Sequence, residues 1–167
     1  MRFTLVNEKN EKQAYQLLVD RTIQLINNGS KQYVKPYPSY DVYHERTLKN
    51  ENWILSDDLE IFGIVTIVKN GIGAEWKDIY CKLDHFWIAS LFVSAEKKHR
   101  NIGRLLIENC IKIAKVEKIN ELLLDCYIDS DFLENYYMKY GFVTLVKKLF
   151  VFPNRKFNAA LMKLTLN

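Results

Sequence analysis

Leu91-Phe92-Val93-Ser94-Ala95-Glu96-Lys97-Lys98-His99-Arg100-Asn101-Ile102-Gly103-Arg104-Leu105-Leu106 decides the fold, because an apolar run passes through a basic turn into an amphipathic stretch. Upstream, His85 to Val93 is almost wholly apolar, which predicts a strand buried on both faces. Downstream, Ile102, Leu105, Leu106, Cys110, Ile113 and Ala114 keep a 3.6-residue period, which predicts a helix from Ile102 to about Lys118 packed on a sheet. The first amides of a helix have no intrahelical partner and the dipole is positive there, so the turn is built for an anion. Lys98, Arg100 and Arg104 surround this helix start, where cations oppose the dipole, and together they call for a negative partner such as a pyrophosphate. Gly103 costs about 1 kcal/mol relative to Ala in a helix interior, and a close backbone approach by a ligand would justify it. The plain alternative is an exposed loop with solvated cations and a frayed helix start.

Working outward, Arg2 to Val6 alternates like a strand, and Asn7 to Asn10 offers cap residues before a helix from Glu11 to about Asn27 with Ala14, Leu17, Leu18, Arg21 and Leu25 on one face. A Pro-containing segment with Tyr33, Tyr37, Tyr40 and Tyr43 leads into a short helix from about Asp41 to Lys49. Asn52 to Ser56 and Leu59 to Val68 read as a hairpin turning at Asp57-Asp58. After the central strand and its helix, Leu122 to Tyr127 predicts a short buried strand, and Ser130 or Asp131 caps a helix to about Lys139, which Gly141 ends in a left-handed conformation. Strands from Phe142 to Phe150 and Ala159 to Leu166, joined at Pro153-Asn154, close the chain. This order predicts an α/β (α+β) fold with a mixed, mostly antiparallel sheet of about seven strands flanked by helices.

The 167 residues suit one domain over 1–167, and 49% hydrophobic with 26% charged residues excludes a disordered or fibrous chain. Ten Tyr and nine Phe suggest a sheet-rich core or an aromatic-lined cleft. A formal charge of +4, spread along the chain, does not demand a nucleic acid. No stretch approaches the roughly 18 apolar residues of a membrane span, and the start lacks a signal peptide's apolar run, so a cytoplasmic protein without a membrane partner is expected. Three scattered cysteines, Cys81, Cys110 and Cys126, fit a reducing compartment, and no ligand spacing points to a metal.

Leu91 to Leu106 resembles the acetyl-coenzyme A motif of the GNAT superfamily of N-acetyltransferases, a strand followed by Q/R-x-x-G-x-G/A and a helix. Lys98 falls on the Q/R position, Asn101 on the first Gly and Gly103 on the second. Lys keeps the charge, and Asn tolerates positive φ better than most non-Gly residues. A second match resembles the family's N-x-x-A-x-x-x-Y-x-x-x-G-F segment: Tyr137 and Gly141-Phe142 agree, while Ser130 and Leu133 replace Asn and Ala.

The resemblance implies acetyl-CoA as co-substrate and transfer of its acetyl group to a primary amine of a small molecule or peptide. It implies that the backbone of Leu91, Phe92 and Val93 bonds the pantetheine arm, that an amide near Phe92 or Val93 polarises the thioester carbonyl, and that Lys98, His99, Arg100, Asn101, Ile102, Gly103 and Arg104 hold the pyrophosphate. Ser130 and Leu133 join the cofactor site, and Tyr137 supplies the proton to the departing thiolate. A phenol near pKa 10 stays protonated at neutral pH, and a thiol near 8.5 leaves as a modestly basic thiolate, so donation is chemically reasonable over a short distance. Asp84, His85 and Asp125 are open candidates for the base, and the segment from Tyr33 to Tyr43 lies where the family builds its acceptor site, so its aromatics could hold an amine or simply pack. The departures at Lys98, Asn101 and Ser130 motivate a second reading, a catalytically silent acyl-CoA-binding module. A third, a basic nucleic-acid-binding domain, predicts salt-sensitive binding. A terminal strand at a sheet edge also allows a homodimer.

Overall fold

The computed structural model describes residues 1–97, 101–129 and 132–166. Its strands are β1 (Arg2–Leu5), β2 (Asn52–Ser56), β3 (Ile61–Lys69), β4 (His85–Val93), β5 (Glu121–Tyr127), β6 (Val143–Phe152) and β7 (Arg155–Thr165). The helices are α1 (Glu11–Asn27), α2 (Tyr40–Leu48), α3 (Ile102–Val116) and α4 (Phe132–Met138). The seven strands form one mixed, mostly antiparallel sheet in the order β1-β2-β3-β4-β5-β7-β6, with β4 and β5 parallel. This is the expected class and element order. The final hairpin is longer than expected, because the ladder continues to Phe152↔Arg155 and leaves Pro153 and Asn154 as the turn.

The chain forms two compact units, Met1–Ile67 with Ser90–Asn109 and Val68–Ala89 with Cys110 onward. In the first, β1 pairs antiparallel with β2 from Arg2↔Ser56 to Leu5↔Trp53, and Phe3 stacks on Trp53 at 5.1 Å. Glu11, Ala14, Leu18 and Thr22 are the buried residues of α1, spaced to lie on one face. Ala14 and Leu18 pack with Val6, Tyr43, Ile54, Ile61, Ile64 and Phe92, while Leu17 and Leu25 flank this core. Asn10 does not cap α1 with its side chain; its Oδ1 accepts the amide of Asn7 instead. Asn52, 1% exposed, has its polar atoms satisfied: Nδ2 donates to the Tyr43 carbonyl (2.8 Å) and to Thr47 Oγ1 (3.0 Å), and Oδ1 accepts from Thr66 Oγ1 (2.7 Å). One buried amide, with donor and acceptor both satisfied, therefore joins α2, β2 and β3.

In the second unit, β5 pairs with β7 from Glu121↔Thr165 to Tyr127↔Ala159, and β7 pairs with β6. The parallel ladder of β4 with β5 spans His85↔Glu121, Phe86↔Leu122 and Trp87↔Leu123. Trp76, Tyr80, Trp87, Leu123, Phe150, Ala159 and Leu161 make the core.

Candidate active site

In the first unit, the end of β4 and the start of α3 take their shape from two backbone features. Ser90 has φ +51, which breaks the pleat, and burial changes from complete at His85 to Ile88 to partial at Ala89, Ser90 and Leu91. Beyond the break Phe92 is buried against Tyr33, ring centroids 6.2 Å apart, Leu91 and Val93 are half-buried, and the Ser94 amide donates to the Phe62 carbonyl. Asn101 has φ +57, the left-handed conformation for which its tolerance was noted, and its carbonyl accepts the Leu105 amide at 3.0 Å. The amides of Ile102, Gly103 and Arg104 are then the leading donors of α3, whose first turn carries no acidic residue.

Gly63 on β3 sets how deeply this helix start sits. A β-carbon there would come within 2.9 Å of Leu106 Cδ1, 3.0 Å of the Phe92 carbonyl oxygen and 3.1 Å of Ile102 Cγ2. In the sequence Gly63 carries a single signal, a lone glycine inside a strand. Arg104 differs from the expectation that its charge lacks a negative partner, since its Nε donates to Glu108 Oε1 at 2.8 Å one turn later. Lys98, His99, Arg100 and Ser130 lie outside the described residues.

In the second unit, Tyr137 is 8% exposed on α4, edge-on to Tyr136 (5.5 Å) and Phe142 (5.8 Å). Leu133, one turn earlier, is half-buried. Gly141, at φ +88, ends the turn as expected, with its amide on the Met138 carbonyl. Buried Glu134 fixes the roll of α4: Lys147 Nζ donates to its Oε2 (2.8 Å) and Thr144 Oγ1 to its Oε1 (2.6 Å), and these bonds hold its carboxyl below the usual range.

The three candidate bases stand in different surroundings. Asp84 is exposed at φ +62. His85 is buried, with Nε2 2.7 Å from the Gly71 carbonyl and Nδ1 buried without a hydrogen bond. Asp125 lies on β5 two residues past Leu123, in the last pair of the β4 ladder, and its Oδ2 accepts from Trp76 Nε1 at 3.0 Å. Burial pushes the Asp125 carboxyl up, Glu75 adds to the rise, and the indole bond offsets part of it.

The tyrosines of the α1–α2 segment, in the first unit, divide between packing and lining. Tyr43 is 1% exposed and belongs to the core, whereas Tyr37 and Tyr40 line an open cavity of about 360 Å³ with Tyr15, Lys35, Ser39 and Val42. Behind Tyr40, the buried Glu11 carboxylate lies 3.0 Å from His44 Nδ1. Desolvation, the Glu11 charge and its hydrogen bond, and the Asp41 charge raise the Tyr40 phenol.

Among the described residues no group of three or more His, Cys, Asp or Glu side chains could hold a metal, and no helix is long and apolar enough to cross a membrane.

Solved structures share this fold at low identity. A ribosomal-protein-alanine N-acetyltransferase from Brucella melitensis aligns with TM-score 0.75 and 11% identity, covering 99% of this chain and 100% of that one. A GNAT-family acetyltransferase from Listeria monocytogenes gives 0.79 and 17%, covering 99% and 94%. A Salmonella typhimurium protein solved with its cofactor acetyl-CoA gives 0.73 and 10%, covering 100% and 94%. No curated protein sequence matches the chain. The model of the acetyltransferase (GNAT) family matches residues 19–142, more than half of the sequence, and the chain therefore belongs to the GNAT acetyltransferase family.

Proposed function

We propose that residues 1–167 act as one cytoplasmic N-acetyltransferase domain that moves an acetyl group from acetyl-CoA to a primary amine of a small molecule or peptide. The observation that carries this reading is the α3 start, where Asn101 at φ +57 opens the turn and Gly63 leaves room for it beside the Phe92 carbonyl. Leading amides of a first turn without acidic residues fit a pyrophosphate, and the left-handed Ser90 just before Leu91 suits a β4 end whose backbone takes a pantetheine arm.

When bound, acetyl-CoA supplies an activated acyl group on a thiolate leaving group. The backbone of Leu91 to Val93 holds its arm, and an amide near Phe92 or Val93 polarises the thioester carbonyl. The amides of Ile102, Gly103 and Arg104, with Lys98, His99 and Arg100, hold the pyrophosphate, while Ser130 and Leu133 bound the arm. Asp125 accepts the proton that the attacking amine loses, directly or through water; its raised pKa brings it nearer to neutral, where a base works best. Tyr137 donates a proton to the departing sulfur. The cavity at Tyr15, Tyr37 and Tyr40 receives the acceptor, with tyrosine faces suited to a cationic amine.

Thermal unfolding with and without acetyl-CoA tests the cofactor first. At a hundredfold excess over Kd the ligand raises the midpoint by about 5–10 °C, and a bulky residue at Gly103 abolishes the rise. Thiol release with a panel of amines then tests turnover. Binding without turnover in any amine would leave the silent acyl-CoA-binding module, and no shift in the wild type would end the acetyl-CoA reading.

A further inference from the structure

Arg21 shares a face of α1 with Ala14, Leu17, Leu18 and Leu25, and neither the acetyl-CoA turn nor the tyrosine cavity uses it. The side chain is half-buried. Its Nη1 donates to Gln24 Oε1 and its Nε is buried without an acceptor, which leaves Nη2 as the nitrogen open to solvent. Among the described residues no carboxylate pairs with it, and burial holds the guanidinium below its ordinary value with no neighbouring charge set against the loss. A cation drawn partly out of water without an anion costs stability, so a carboxylate is the partner it lacks.

Arg21 lines an open cleft of about 430 Å³ that lies wholly within the first unit. From α1 come Leu17 and Arg21, one turn apart, from the start of β3 comes Ile61, and from the chain just past β4 comes Ser94. Half-buried Leu17 and buried Ile61 give it an apolar surface. Three carboxylates, those of Asp20, Glu60 and Glu96, belong to the same lining, and Gln16 Nε2 steadies the first by donating to its Oδ1 at 2.8 Å. A simple anion would meet these carboxylates, and a simple amine would meet Arg21. A ligand that carries both charges meets an opposite charge at each end.

We propose that this cleft binds a free α-amino acid with an apolar side chain, its carboxylate on Arg21, its ammonium at the acidic lining and its side chain on Leu17 and Ile61. The site shares no residue with the cavity at Tyr15, Tyr37 and Tyr40, and it stands independently of the acetyl-transfer reading.

Titration of the protein, free of acetyl-CoA, with leucine, 4-methylpentanoate and 3-methylbutylamine tests the site by calorimetry and amide chemical shifts. The second compound is leucine without its amine, and the third is leucine without its carboxylate. Leucine is expected to bind about tenfold tighter than either, as one charge-assisted hydrogen bond at each end predicts. Arg21→Met keeps an aliphatic stem, so it should hold the melting midpoint while leucine affinity falls about tenfold. Asp20→Asn combined with Glu96→Gln should narrow the preference for leucine over 4-methylpentanoate. No leucine binding up to its solubility, equal binding of the three compounds, or full leucine affinity in Arg21→Met would overturn the proposal. Shift changes confined to the tyrosine cavity would overturn it too, by placing leucine at the acceptor site.

Discussion

Gly63 lies beneath Ile102, close enough that a β-carbon on the glycine would stand 3.1 Å from Ile102 Cγ2 while also reaching the Phe92 carbonyl oxygen at 3.0 Å. A backbone oxygen cannot swing aside as a side chain can. Gly63→Val should therefore cost about 1–3 kcal/mol in denaturant unfolding and lift the first turn of α3. The same variant should lose the midpoint rise with acetyl-CoA. A variant that keeps both stability and ligand response would show that α3 does not depend on this fit.

Asp125 gives a prediction of opposite sign for stability and activity. Its carboxyl titrates above the ordinary carboxylate range in the folded state, so its contribution to stability is full below the unfolded value and is lost as pH rises through the folded one. Asp125→Asn keeps an oxygen for the Trp76 indole and removes that loss. Its melting midpoint at pH 7 should match or exceed wild type, while kcat falls by about 10²–10⁴-fold. Trp76→Phe removes a bond that favours the charged form, and should move the acid limb of kcat/KM to higher pH.

Tyr137→Phe keeps the ring that packs on Phe142 and removes the hydroxyl. Thiol release should fall by about 10²-fold with acetyl-CoA binding unchanged. Equal turnover in the variant would reduce Tyr137 to a packing residue.

Tyr37 is 57% exposed at the cavity of the α1–α2 segment, so its removal should not disturb folding. Tyr37→Ala should raise the KM for a cationic acceptor about twofold to fivefold and leave that for acetyl-CoA unchanged. An unaltered acceptor KM would assign these tyrosines to packing.

Local signals made much of the fold legible. The strand from His85 to Val93 and the helix from Glu11 to Asn27 stand where apolar run and period put them, and the left-handed Asn101 follows from backbone tolerance and motif position together. What escaped the sequence depends on partners distant along the chain. Gly63 matters because of Leu106, Phe92 and Ile102, none of which a strand pattern reveals. Asp125 differs from Asp84 and His85 in accepting a bond from Trp76, 49 residues away, which no local pattern reveals. The Arg104–Glu108 bridge, by contrast, is legible in the sequence as a one-turn pair.

The Asn52 amide has a consequence for motion. α2 is nine residues long, shorter than the roughly 12–15 residues below which an isolated helix is marginal in water. Two of the three hydrogen bonds of Asn52 end on that helix, and the third roots the side chain in β3. The lifetime of α2 is thus borrowed from the sheet, and with it the persistence of the tyrosines it carries. Shortening Asn52 to alanine would quicken amide hydrogen exchange along Tyr40–Leu48 while the strands kept their protection, turning a formed cavity into an intermittent one.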